Sequence, residues 1–296
     1  MEMWTRAQGN LTQQQIDAPN QKANQMEIAR SVLESTGRSQ QYDLQDIENV
    51  TVYVGGELTK NADDVVISAS FGSKNTVIAA YTADGDIYEY IGDIGNFYGV
   101  ENIRFIPSNE LGHDIVIVRE RINQSLGSFE ETDVLRGYIY EADGFRDVLN
   151  TPEKINASWN RIWNENLSQR DTQWNRVTEE TESVWGTGED TEVTLTRYQT
   201  YEQSDYIEEE VPEDDTFLTK DSRIVVDRFY WSEKWGRFIL GEAIEKSTKA
   251  QVAVVENLAK SPYILAGFSD AADFGIIRKD GTFAYVEADD LEKIMV

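Results

Sequence analysis

A chain of 296 residues with 40% hydrophobic and 11% aromatic content can bury a substantial core, as one large domain or two smaller ones. Its 54 acidic residues against 27 basic ones give a formal charge of -27, a balance that repels phosphate backbones and anionic membranes and excludes nucleic acid as an expected partner. The absence of cysteine excludes disulfides, thiolate nucleophiles and cysteine-held zinc.

Residues 1–25, rich in Gln and Asn, hold no apolar run of signal-peptide length and are expected to form a disordered polar leader. Nowhere in the chain do about 18 apolar residues follow one another, so no membrane span is expected. Such a leader resembles the spacer that tethers an exported domain. An extracytoplasmic setting, secreted or surface-tethered, is therefore favoured, with the cytoplasm as the alternative. In residues 26–47 a helix and connector are expected, because Met26, Ala29, Val32 and Leu33 recur at roughly helical spacing and Gly37 is placed to stop it.

The stretch 48–150 reads as two β repeats. "ENVTVYVGGEL" from Glu48 corresponds to "ENIRFIPSNEL" from Glu101, "DVVI" at Asp64 to "DIVI" at Asp114, and "IYE" at Ile87 to "IYE" at Ile139. Their nearly constant offsets predict four strands per copy. In the first copy these are residues 51–54, 65–71, 76–81 and 86–91, and turns at "ADGD" and "EADG" close the last hairpins. The two "IYE" triplets are expected in the same strand of each copy. Residues 151–190 are expected to be a helical or irregular insertion, since Ile155, Trp159, Ile162 and Trp163 fall on one helical face. Residues 191–250 read as a third, partial repeat around "FYWSEKWGRFIL", preceded by an exposed acidic loop, 204–216. The C-terminal β-rich section, 251–296, contains a hairpin turning at Asp280-Gly281, and "DDLEKIMV" is a candidate closing helix.

The fold class is thus mainly β with a few helices. Its four-stranded antiparallel units of about 50 residues resemble the blades of FG-GAP or VCBS-like repeats of bacterial surface proteins and lipoproteins. That resemblance implies a propeller-like or partial propeller architecture. Those families often carry a D-x-D-x-D-G calcium loop. The matching places here read "GELTKNADD" and "NELGHD", so no high-affinity calcium site is expected, and no cofactor or other metal.

Catalytic motifs are missing: there is no G-x-S-x-G, P-loop, G-x-G-x-x-G or H-E-x-x-H, and the one histidine, His113, stands at a turn entering an apolar strand. No catalytic residue is nominated. Six tryptophans between Trp159 and Trp235 are the candidates for binding, because indole faces stack on sugars or anchor protein partners. Trp159 and Trp163 are expected to pack on the sheet, which leaves Trp235, Trp231 and Trp185 as the nominated contacts. The expected function is a non-enzymatic binding or structural module of the microbial cell envelope, with a protein or glycan partner there. The alternatives are a carboxylate-dependent glycan-active hydrolase and a cytoplasmic protein of unrelated role.

Overall fold

The structure, a computed structural model, describes residues 9–59, 63–72, 75–124, 129–161, 173–187, 190–206, 210–268 and 272–295. Among these residues, eighteen strands and two α-helices form three antiparallel sheets. The chain divides into two compact units, residues 1–121 with 135–150, and residues 122–134 with 151–296.

In the first unit, β2 (Ile47–Gly56), β3 (Asp64–Phe71), β4 (Thr76–Asp84) and β5 (Ile87–Phe97) form a meander, with β1 (Leu11–Thr12) added at the edge of β5. β3 and β4 are apolar on both faces because both faces are covered. Val65, Ile67, Ala69, Val77, Ala79 and Tyr81 pack with Ile28, Ala29, Val32 and Leu33 of helix α2 (Lys22–Ser35). Val66, Ile78 and Ala80 point the other way, towards Ile103, Val116, Val118 and Tyr138. Gly37, at φ 72°, ends the helix as its position predicts, and Arg38 N–H reaches back to the Leu33 carbonyl at 2.8 Å.

Two expectations fail in this unit. Residues 9–25 are ordered: Leu11 pairs with Tyr88, Thr12 caps the short helix α1 (Gln13–Asp17), and Leu11 and Ile16 are buried. Pairing with an open strand edge plus two buried side chains orders a segment whose composition is otherwise that of a spacer; residues 1–8 lie outside the described residues. The "IYE" correspondence also fails, because Ile87 opens β5 after its turn, whereas Ile139 lies near the end of β8 (Phe129–Glu141), before the turn. The turns before β5 and β9 share the pattern Tyr-x-Ala-Asp-Gly, at residues 81–85 and 140–144.

β6 (Gly99–Ile106), β7 (Ile115–Gln124), β8, β9 (Gly144–Asn160), β10 (Trp174–Thr187), β11 (Thr191–Ser204), β12 (Leu218–Ser232) and β13 (Arg237–Ile239) follow one another in meander order. The expected helical insertion is therefore a correction: residues 154–160 of β9 pair with 174–180 of β10. Spacings of four are multiples of two as well as near-multiples of 3.6, so Ile155 and Trp159 share one face of a strand as readily as one face of a helix. Ile162 and Trp163 lie outside the described residues. β10 and β11 pair without interruption from Trp174↔Ser204 to Thr187↔Thr191, and β11 alternates buried Val193, Leu195, Arg197 and Gln199 with outward Thr194, Thr196 and Tyr198.

The last sheet orders β17 (Phe283–Val286), β16 (Phe274–Ile277), β15 (Gln251–Asn257), β14 (Gly241–Glu245) and β18 (Leu291–Met295). The hairpin at Asp280-Gly281 forms as expected, with Asp280 Oδ1 accepting from Thr282 N–H at 2.9 Å. The closing helix does not: "LEKIM" pairs with β14, because a five-residue segment gains more from an open strand edge than from a single helical turn. No helix among the described residues is long and apolar enough to cross a membrane.

Candidate functional site

The register of β9, β10 and β11 assembles rows of side chains on one sheet face. Trp159, Asn175 and Gln203 stand side by side across three strands; the next row is Ala157, Val177 and Tyr201, and the next Ile155, Glu179 and Gln199. The 3₁₀ turn Pro262–Ala266 packs over the apolar middle row, seating Tyr263 and Ala266 against Ile155, Ala157, Trp159 and Val177. At Gly267 the backbone enters the left-handed region, φ 84°, and the chain turns so that Phe268 meets Trp159 edge to face, ring centroids 5.3 Å apart.

Between this turn and the sheet lies a cleft of about 330 Å³ lined by Trp159, Arg161, Gln173, Asn175, Tyr201, Gln203 and residues 266–268. One wall is aromatic: Trp159 lies 6.4 Å from Tyr263, and Phe268 remains 45% exposed. The other wall is a polar ladder. Tyr201 Oη donates to Asn175 Oδ1 at 2.7 Å, Gln203 Nε2 donates to the same oxygen at 3.2 Å, and Gln173 Nε2 lies 3.4 Å from Gln203 Oε1. Asn175 is only 6% exposed, and among the described residues its NH₂ group donates to no protein atom. The acceptor oxygen of Gln173 is likewise uncommitted among them.

A buried polar network holds the covering turn in place. Arg197 donates to Glu179 Oε1 at 2.9 Å, to Asp227 Oδ2 at 3.1 Å and to Thr151 Oγ1 at 2.7 Å. Lys260 Nζ donates to the second Asp227 oxygen at 2.6 Å, Gln199 Nε2 to the Lys260 carbonyl at 2.7 Å, and Arg223 to the Ser261 carbonyl at 2.7 Å. Burying these charges is tolerable because each has partners, and three of the bonds end on residues 260 and 261, at the root of the turn. Burial pushes the Tyr263 phenol well above its ordinary value, and the neighbouring Glu130 and Glu179 carboxylates add to it, so Tyr263 stays neutral.

The nominated tryptophans lie elsewhere. Trp185 and Trp231 each meet Phe238 edge to face at 5.7 Å; Trp231 is buried, and Trp185 is half-buried. Trp235 is half-buried against Ile239, Ala253 and Ile277, and its N–H donates to Glu242 at 2.6 Å. Trp159 packs on the sheet as expected, 8% exposed among Ile155, Ala157 and Val177, and reaches the cleft only at its rim, beside Phe268. His113 stays at its bend, Nδ1 3.2 Å from the Asp114 carbonyl. On the opposite sheet face a second cleft of about 320 Å³ includes Glu130, Glu131 and Asp214, but Asp214 is paired with Arg176 at 2.5 Å. Among the described residues, no group of three carboxylate or histidine side chains is arranged to hold a metal ion.

Comparison with protein-family models, curated proteins and solved structures finds no match to this chain.

Proposed function

We propose that the protein is a non-enzymatic binding module of the microbial cell envelope and that its ligand sits in the Trp159–Phe268 cleft. The observation that carries this is Asn175, a buried amide with an uncommitted NH₂ group, set in a pre-formed cleft between an aromatic wall and a ladder of hydrogen-bonding side chains. These groups supply contact area and orientation. The charged side chains beneath the turn are committed to one another, which suits holding a ligand better than cleaving one. The envelope setting is supported by the likeness to FG-GAP or VCBS-like repeats. The two consecutive antiparallel meanders β2–β5 and β6–β9, each with a buried strand that opens beside an aspartate, Asp64 and Asp114, support duplication of one unit.

The test is co-sedimentation of the full chain with isolated bacterial cell envelopes. Wild type is expected to pellet, Phe268→Ala to remain largely in solution, and no soluble fragment to be released on prolonged incubation. Release of reducing sugar ends would replace the binding module with the hydrolase, and failure of wild type to pellet would overturn the envelope reading.

A further inference from the structure

Resting on the reading of the cleft as a ligand site, we infer that its ligand class is a neutral oligosaccharide, with one pyranose ring seated between the aromatic wall and the amide ladder. A pyranose presents two kinds of surface: a face of C–H groups and a rim of hydroxyls, each of which donates and accepts. The cleft presents the complement of both. Phe268, 45% exposed and backed by the buried Trp159, offers aromatic surface to the C–H face, while the Asn175 NH₂ group supplies donors and the Gln173 Oε1 atom an acceptor. At about 330 Å³ the cleft stands near the lower end of the usual range of about 300–1,000 Å³, the scale of one or two rings.

Other ligand classes fit less well. An extended peptide added as a strand needs an open sheet edge, whereas this floor is built from β9, β10 and β11, each paired on both sides. An anionic ligand, whether an acidic polysaccharide or a nucleotide, would enter a chain of net charge -27. Asp205 lies 3.4 Å from the Gln173 amide, with Glu130 and Glu179 near Tyr263. Among the described residues of the lining, Arg161 is the one cation.

The experiment is calorimetric titration of the full chain with cellotetraose, maltotetraose and N-acetylchitotetraose as neutral probes and tetragalacturonate as the acidic one. Phe268→Ala and Gln173→Ala are run alongside. Neither position is fully buried, so near-ultraviolet circular dichroism should match wild type. At least one neutral probe is expected to bind, with affinity about tenfold weaker in Phe268→Ala, the loss of one aromatic contact, and weakened also in Gln173→Ala. Preference for tetragalacturonate, or neutral binding unchanged in both variants, would overturn the inference. Absence of binding to all four by a protein that still pellets with envelopes would overturn the ligand class and leave the binding module standing. Absence of both would remove the two together.

Discussion

Gly267 shows how far a single residue sets the site. Its φ of 84° lies where a Cβ crowds the carbonyl, and that geometry carries Phe268 onto Trp159. A Cβ there would meet no other atom within 4 Å, so the cost of Gly267→Ala is backbone strain alone, about 1–2 kcal/mol in urea unfolding, with weaker ligand binding as Phe268 shifts. An unchanged urea midpoint would show that the turn adopts another conformation at no cost. In the last sheet, the Arg278 guanidinium, donating at 2.6 Å, and the Thr248 hydroxyl hold the Glu245 carboxyl below the ordinary glutamate value of 4.5. A carboxyl whose pKa is depressed by folding contributes stability that is fully present above its unfolded value and is lost as pH falls through the folded one. Glu245→Gln should therefore be less stable than wild type at pH 7, and the difference should shrink as pH drops below about 4.5. Urea midpoints measured at pH 7 and pH 3 check this, and a gap of equal size at both would contradict it.

At the scale of elements, the buried network under the Pro262–Ala266 turn makes the sharpest demand. Arg197→Met removes the partner of Glu179 Oε1 and Asp227 Oδ2 while Lys260 still holds the other Asp227 oxygen, so the uncompensated charge falls mainly on Glu179. Breaking such a pair costs about 3–5 kcal/mol, and Arg197→Met with Glu179→Gln should recover part of it by removing the stranded charge. A single-variant loss below about 1 kcal/mol would mean that water enters and solvates the network. The strands of the first meander were legible because β3 and β4 are short, continuous apolar runs between turns, and α2 because four apolar residues recur at helical spacing before a glycine. β9 was not, because Ile155 and Trp159 satisfy both periods and only pairing with β10 decides between them. The site was least legible of all. Trp159, Asn175 and Gln203 become neighbours only through the registers of two hairpins, and Phe268 joins them only through a turn that the sequence presents as one more apolar run.

For the molecule as a whole, charge is the dominant fact. With 54 acidic side chains against 27 basic ones, carboxylates outnumber cations two to one, and their mutual repulsion weakens the compact state most at low ionic strength. The Debye length falls from about 30 Å at 0.01 M to about 10 Å at 0.1 M and about 3 Å at 1 M, so most of the long-range repulsion is screened by a few tenths molar salt. Sodium chloride should therefore raise the melting temperature steeply at first and then level off. The rival expectation is specific occupancy of a divalent site, in which case calcium would stabilise through mass action, far beyond sodium chloride of equal ionic strength. Among the described residues no carboxylate cluster is built for such an ion, so the two salts should give superimposable curves when plotted against ionic strength. Thermal melts in matched series decide the matter. A melting temperature that stays flat or falls as sodium chloride rises would defeat the repulsion argument, and a calcium curve displaced upward at millimolar concentration would place a cation site in this chain.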